Sequence, residues 1–316
     1  MQQNKIAILF PGQGSQYLGM GKDFLEADSE AVRLMDLAEQ VSGLPIKRLC
    51  LAGPLEELTR AANLQPALTT VNLICWQAIA KAGIAADFFV GHSLGEYSAL
   101  CAAGGLSLEE TLQLVSERGR LSDREGRRNP GGMQAILGLT LDEVEKVLFQ
   151  LSSDGIVTVA NHNTETQIVI SGEPEVLTEV EEKVAEGDGK AITLNVSIAN
   201  HSPLIAGAVP DFEKVLNSIP FSPPVKPVLF NVTAAEETDS DNIRSIMARQ
   251  IVSRVRWFEI VNNLMAKGVN IFIEVGPKSV LKGLLKKIAP KPSNIKSFQV
   301  DTPATLARCV DEIGAL

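Results

Sequence analysis

Aromatic residues make up 5% of this 316-residue chain, with two tryptophans, two tyrosines and eleven phenylalanines. The core is therefore expected to be built from Ala, Val, Ile and Leu. Histidine is scarcer still. His92, His162 and His201 are the three in the chain, so the choice of an imidazole base is short. Cys50, Cys75, Cys101 and Cys309 are scattered and form no C-x-x-C pair. That spacing gives no metal site and fits reduced thiols in a cytoplasmic protein. No stretch approaches the roughly 18 continuous apolar residues of a membrane span. The first apolar run, Ile6 to Phe10, is shorter than a signal-peptide core, so no secretory leader is expected. Basic charge is also in deficit: 29 Lys and Arg against 38 Asp and Glu leave a net charge of -9, which speaks against a nucleic-acid binder. Internal repeats and low-complexity tracts are missing.

Hydrophobic residues are not in short supply. At 45% of the chain they can bury a sizeable core, and one large domain carrying an insertion, or two domains, is the natural organisation. Ile6–Phe10 reads as a buried strand stopped by Pro11-Gly12. Helices are expected over 29–41, 68–82 and 96–103, and a short strand over 87–91. Ser107-Leu108-Glu109-Glu110 is a capping box that starts a helix running to about Asp123. Arg127 to Gly132 reads as a linker. Beyond it, strands over 133–139, 156–160, 167–171 and 191–196 enclose helices over 141–151 and 175–186. This β-α-β-β-α-β order is the split β-α-β, or ferredoxin-like, pattern. After Ser202-Pro203 the chain returns to alternation: a helix over 204–216, a strand over 228–232, helices over 242–251 and 258–267, a strand over 271–275 and a Lys-rich helix. Strands alternating with helices imply a mainly parallel, doubly covered sheet. The expected fold is α/β: a large domain over 1–128 and 198–316 and an inserted small domain over 129–197.

Gly91-His92-Ser93-Leu94-Gly95 is a G-x-S-x-G motif between a short apolar strand and a helix, the context of a nucleophile elbow. Ser93 would then stand at a helix N-terminus, where free N–H groups and the helix dipole favour developing negative charge. The bland alternative is a capping serine in a glycine-bounded turn. Gly12-Gln13-Gly14 follows a strand, but a dinucleotide loop would need glycine at position 17, which is Tyr17. A hydrolase triad would need an acid between Ser93 and His201. Asp123 and Asp154 are available, but neither occupies a strand end.

Phe10-Pro11-Gly12-Gln13-Gly14-Ser15-Gln16 and Gly91-His92-Ser93-Leu94-Gly95-Glu96-Tyr97-Ser98-Ala99-Leu100 resemble the malonyl-CoA:acyl-carrier-protein transacylases. These are related to the acyltransferase domains of fatty acid and polyketide synthases. The resemblance continues through Arg118-Gly119, Pro130-Gly131-Gly132-Met133, Ile168 to Gly172, His201-Ser202-Pro203-Leu204, Gln250 and Glu274-Val275-Gly276-Pro277, nearly the whole chain. It implies an α/β-hydrolase-like large domain and a ferredoxin-like insert. It makes Ser93 the nucleophile and His201 the general base, with the backbone N–H groups of Gln13 and Leu94 as an oxyanion hole. The histidine would be oriented by the backbone carbonyl of Gln250, giving a dyad in place of a charged triad. Arg118 would grip the free carboxylate of malonyl, and Met133 and Asn200 would line the acyl site. Position 200 is usually Phe or Ser in the family, so Asn200 leaves malonyl against methylmalonyl preference open.

The implied reaction moves a malonyl group from malonyl-CoA to the phosphopantetheine thiol of acyl carrier protein through an acyl-serine. Coenzyme A is then a substrate thioester, and no resident cofactor is implied. The expected protein is a cytoplasmic monomer with no nucleic-acid or membrane partner. A serine thioesterase or acyl hydrolase is the first rival, and a catalytically silent acyl-binding subunit the second. Lys278, Lys282 and Lys286 share a helical face on the expected Lys-rich helix, a patch suited to acidic carrier protein or coenzyme A phosphates. Arg124, Arg127 and Arg128 form a second such patch, and His162 reads as a loop histidine.

Overall fold

The computed structural model describes residues 4–196 and 198–315. The strands, in chain order, are β1 (Ile6–Phe10), β2 (Phe88–Gly91), β3 (Gly132–Leu137), β4 (Val157–Thr164), β5 (Gln167–Gly172), β6 (Lys190–Thr193), β7 (Val228–Leu229), β8 (Ile271–Val275) and β9 (Lys296–Val300). They form two sheets. The first has the order β7-β2-β1-β8-β9, and its pairs are parallel. The second has the order β4-β5-β3-β6 and is antiparallel.

Alternation explains why the first sheet is covered on both faces. Ile8 and Phe10 of β1 belong to one buried cluster, while Ala7 and Leu9 belong to another on the opposite face. The first cluster includes the helices Ser29–Ser42, Ala61–Lys81 and Leu108–Arg128, and the second the helices Trp257–Ala266 and Val280–Ile288. Successive side chains of a strand point to opposite faces, so a strand apolar at every position requires cover on both. The second sheet has its own core. Ile136, Val159, Ile168 and Ile170 pack against Val144 of helix Leu141–Phe149 and Leu177, Val180 and Val184 of helix Pro174–Ala185. In local numbering its strand order is 2-3-1-4, the ferredoxin-like order.

Several boundaries differ from the sequence-based expectation. The helix expected from residue 68 begins at Ala61 and carries Pro66 inside it. Proline removes one backbone hydrogen bond and usually ends a helix. Here Leu64, Ala67, Leu68 and Val71 are all buried around it, and that burial outweighs the lost bond. The helix after the capping box runs on to Arg128, which shrinks the linker to Asn129–Gly131. The expected strand 228–232 stops at Leu229, because Asn231 turns its side chain to the end of β2. His162 lies within β4, not in a loop: it is 7% exposed, and its Nδ1 pairs with Glu259 at 3.1 Å. Strand β9 and the helix Pro303–Gly314 were not expected at all.

Two links tie the small sheet to the large one close to the nucleophile motif. The backbone N–H of His162 donates to the Val255 carbonyl at 2.9 Å, and Val255 N–H donates to the Ala160 carbonyl at 2.8 Å. Asn163 Oδ1 sits 2.8 Å from Nε2 of His92.

Candidate active site

Ser93 stands between β2 and the helix Gly95–Ala102, at the carboxyl end of a parallel sheet, where α/β folds place their ligands. Its own φ is 50°, the left-handed region that a non-glycine residue adopts at a cost. The flanking glycines serve a different need from backbone freedom. A β-carbon on Gly91 would fall 1.9 Å from the Gly95 carbonyl carbon, and one on Gly95 would fall 2.0 Å from the Phe10 carbonyl oxygen. Strand, turn and helix are pressed together until no side chain fits between them. Asn231 closes the turn from the β7 side: its Nδ2 donates to the Gly91 carbonyl at 2.7 Å, and its Oδ1 accepts Ser93 N–H at 2.6 Å.

His201 meets this serine from the segment that follows the small sheet. Its Nε2 lies 2.7 Å from Ser93 Oγ. Its Nδ1 faces two carbonyl oxygens, of Ser253 at 2.9 Å and of Gln250 at 3.1 Å. A carbonyl only accepts, so Nδ1 carries the proton and Nε2 presents a lone pair to the serine hydroxyl. Burial pushes the His201 pKa from 6.5 down to about 3, and the positive charge of Arg118 adds to the shift. The imidazole is therefore neutral and able to accept a proton at physiological pH. Asp123 instead accepts the N–H of Ala61 at 3.1 Å, and Asp154 lies exposed in the loop before β4. Neither pairs with His201. His92, for its part, directs Nε2 to Asn163.

The loop after β1 packs on the nucleophile turn. A β-carbon on Gly12 would lie 2.5 Å from the His92 carbonyl oxygen and 3.6 Å from the Leu94 nitrogen. Among the described residues, the backbone N–H groups of Gln13 and Leu94 have no hydrogen-bond acceptor within the protein. Gly12 thus brings the loop carrying Gln13 against the turn that carries Ser93 and Leu94, and unspent N–H donors of that kind suit an oxygen that gains negative charge. Lys278 holds the neighbouring part of this loop, with Nζ donating to the Gly14 carbonyl at 3.1 Å. It is consequently not on the Lys-rich helix as expected. It precedes the helix Val280–Ile288 with φ of 63°, so the shared face comprises Lys282 and Lys286 without it.

Arg118 is 2% exposed. Its Nη1 donates to Gln65 Oε1 at 2.9 Å and its Nη2 to Gln250 Oε1 at 3.1 Å, both neutral oxygens. Nε has no acceptor among the described residues. The guanidinium carbon lies 5.6 Å from the centre of the Tyr97 ring. Gln250 uses its remaining donors on the Ser93 carbonyl and on Glu96 Oε2, each at 2.8 Å.

A cavity of about 950 Å³ is lined by Gln13, Arg60 and Arg127 of the large part, by Leu194 and Val196 after β6, and by Asn200. That volume is of the size that holds a small-molecule ligand, and of the expected site residues Gln13 and Asn200 reach its lining whereas Ser93, His201, Arg118 and Met133 do not. Asn200 Nδ2 lies 3.8 Å from Met133 Sδ and donates to the Ile198 carbonyl at 3.2 Å. Of the second expected basic patch, Arg124 is paired with Asp211 and Glu125, both at 2.6 Å, and Arg128 with Glu125 at 3.1 Å. Arg127 remains exposed at the cavity. No group of three or more metal-ligating side chains gathers among the described residues, and no helix described is long and apolar enough to cross a membrane.

Asn231, Gln65, Ser253, Glu96 and Asn163 were not singled out from sequence. Asn231 offered one usable signal, a polar residue near the carboxyl end of the expected strand 228–232.

Residues 8–301 match the family model described as the acyl transferase domain. The chain is 38% identical over 312 residues to the malonyl CoA-acyl carrier protein transacylase of Bacillus subtilis strain 168, covering 98% of each. It is 37% identical over 287 residues to that of Staphylococcus aureus, covering 90% of this chain and 92% of the relative. The crystal structure of the malonyl CoA-acyl carrier protein transacylase from Clostridium perfringens superposes with a TM-score of 0.93 at 32% identity, covering 98% of both chains. A malonyl-transacylase solved in complex with its type II PKS acyl-carrier protein gives a TM-score of 0.93 at 32% identity, with 98% of this chain and 100% of that one covered.

Proposed function

The chain belongs to the acyl transferase domain family, among the malonyl-CoA:acyl carrier protein transacylases, and from that premise we propose the following mechanism for its residues. The enzyme transfers malonyl from malonyl-CoA to acyl carrier protein. Ser93 Oγ attacks the thioester carbonyl while His201 Nε2 takes its proton. The carbonyl oxygen, now an oxyanion, receives the N–H groups of Gln13 and Leu94. Collapse breaks the C–S bond, and the proton on His201 goes to the departing coenzyme A thiol. Malonyl-Ser93 remains. The phosphopantetheine thiol of the carrier protein then enters, loses its proton to His201, attacks the ester carbonyl and releases Ser93 Oγ, which takes the proton back. One serine serves both halves, so the kinetics are ping-pong.

The observation that carries this reading is the 2.7 Å contact of Ser93 Oγ with an imidazole whose other nitrogen faces only carbonyls. A carbonyl-held histidine has its tautomer fixed without a carboxylate, so a dyad suffices. Arg118 would hold the malonyl carboxylate: this buried guanidinium is hydrogen-bonded only to neutral oxygens, with no carboxylate bonded to it among the described residues, and a planar fork fits a carboxylate with two charge-assisted bonds. Asn200 and Met133 border the acyl site, where one methyl group is worth only about 1–3 kcal/mol of discrimination. We assign residues 1–128 and 198–316 to a large domain and 129–197 to the small one. We further take the enzyme to be a cytoplasmic monomer that works without a resident cofactor and binds neither nucleic acid nor membrane, in keeping with its net charge of -9.

Intact-mass measurement after mixing with malonyl-CoA tests the reading. Wild type should gain one malonyl group, Ser93→Ala none, and added holo carrier protein should discharge the adduct far faster than water does. Discharge at the same rate with and without carrier protein would make the protein a hydrolase.

A further inference from the structure

Glu96 is fully buried and takes no part in the steps above. It follows Gly95 on the first turn of the helix Gly95–Ala102. Both of its carboxylate oxygens accept a hydrogen bond. Oε1 takes the backbone N–H of Asn231, and Oε2 takes Nε2 of Gln250 at 2.8 Å. Neither partner can accept a proton from a carboxylic O–H at those contacts, so the arrangement is that of an anion held by two donors.

Each donor leads to a different part of the site. Asn231 carries Glu96's hold to the nucleophile turn, through Oδ1 to Ser93 N–H and Nδ2 to the Gly91 carbonyl. Gln250 carries it to three places. Its side-chain N–H groups reach the Ser93 carbonyl as well as Glu96, its side-chain oxygen receives Arg118 Nη2, and its backbone carbonyl faces His201 Nδ1. The amide of Gln250 thus stands between a buried cation and a buried anion, donating to one and accepting from the other.

We propose that Glu96 is a positioning residue of the transfer reaction, one carboxylate that fixes the Ser93 turn through Asn231 and Gln250 and balances the charge of Arg118 while no substrate carboxylate is bound. The proposal rests on the transfer reading given above. A buried guanidinium without any anion nearby is costly, and burial alone would favour discharging both groups. The surroundings oppose that tendency: burial raises the pKa of Glu96, while the Asn231 and Gln250 donors and then the Arg118 charge work against the rise, and burial lowers that of Arg118 while the Glu96 charge works against the fall. When malonyl enters, its carboxylate competes with Glu96 for the same guanidinium field. Glu96 therefore holds the nucleophile in place and at the same time weakens the grip on the substrate's acid.

These two effects separate in kinetics. Single-turnover acylation, read by intact mass, gives a saturating rate and a half-saturating concentration for malonyl-CoA and for acetyl-CoA. Glu96→Gln keeps the shape but removes the anion and turns a donor toward one of two donors. Its saturating rate should fall at least tenfold for both thioesters, because small displacements of a nucleophile are expensive. Its half-saturating concentration should fall severalfold for malonyl-CoA alone, because only that substrate brings a carboxylate to the freed guanidinium. Glu96→Asp keeps the charge and shortens the reach. It should lose rate on both thioesters with malonyl half-saturation unchanged, and it serves as the test should Glu96→Gln not fold. Folded Glu96→Gln with wild-type rates, equal shifts in half-saturation for the two thioesters, or Glu96→Asp with a wild-type rate would each overturn the proposal. A wild type that gains no malonyl adduct would overturn the transfer reading with it, whereas adduct formation with indifferent variants overturns this one alone.

Discussion

Nη1 of Arg118 lies 2.9 Å from Oε1 of Gln65, a charged donor bound to a neutral acceptor inside the core. The geometry orients the guanidinium without neutralising it. A ligand carboxylate arriving there completes a pair whose other half is already buried. Arg118→Ala removes that half and should change which acyl group is accepted. Truncating one side of a buried charge pair costs about 2–5 kcal/mol, much of it from the charge left behind. An acetyl group has no carboxylate to orphan. The malonyl-CoA to acetyl-CoA ratio of kcat/KM should fall by roughly 30-fold or more. A proportional loss for both substrates would make Arg118 structural.

His201 predicts a pH dependence of stability. Its folded pKa of about 3 lies below the unfolded 6.5. Between those values the unfolded chain binds a proton that the folded protein refuses. The contribution is fully present above pH 6.5 and is lost as the pH falls toward 3. At about 1.4 kcal/mol per pH unit, moving from pH 6.5 to 5 costs about 2 kcal/mol. His201→Gln cannot titrate. Urea unfolding at pH 7 and pH 5 should show a loss smaller by about that amount in the variant, and equal losses in both proteins would refute the assignment.

How much of this was legible in the chain depended on distance along it. The elbow at Ser93 is local: an apolar strand, a glycine-bounded turn and a helix within a dozen residues, so the sequence exhibits it directly. The split β-α-β pattern is local in the same sense. Asn231 reaches Ser93 across 138 positions and Gln65 reaches Arg118 across 53, and no periodicity encodes such contacts. The helix expected from residue 68 starts at Ala61 and runs through Pro66, whose local cost is real but is overruled by burial from neighbouring helices. Lys278 misled because helical spacing places it with Lys282, whereas the positive φ at Lys278 and the helix start at Val280 remove it from that face. The wider α/β-hydrolase-like fold and the family's chemistry rested on resemblance, which composition and spacing do not supply.

The remaining lysine patch predicts a salt-dependent partner effect. Lys286 and Lys287 are exposed and Lys282 is partly so. On a protein of net charge -9, they offer an acidic carrier protein a local attraction. Replacing the three together with Ala should raise KM for carrier protein and flatten its dependence on ionic strength, with KM for malonyl-CoA unaltered. Unchanged carrier KM at low and high salt would leave this helix as solvated surface.

Gly12→Ala tests the oxyanion hole without touching a side chain. Gly12 does not have a positive φ, so alanine is acceptable to its backbone, and the cost arises from contact alone. The new β-carbon would lie 2.5 Å from the His92 carbonyl oxygen, closer than real β-carbons come to a neighbour. His92 belongs to the turn fixed by Asn231 and Gln250, which leaves the loop carrying Gln13 to move away. The Gln13 N–H then leaves the position where the oxyanion forms, while Leu94 stays. Losing one such donor costs about 10²–10³ in rate. Acylation by malonyl-CoA and discharge to carrier protein pass through tetrahedral oxyanions at the same carbonyl position. Both half-reactions should therefore slow by a similar factor, with the half-saturating malonyl-CoA concentration nearly unchanged, because Arg118 is not disturbed. Stopped-flow or quenched single turnovers of each half measure this. Slowing of one half alone would place the Gln13 amide outside the shared step, and a large rise in half-saturation would show that Gly12 shapes the substrate pocket instead.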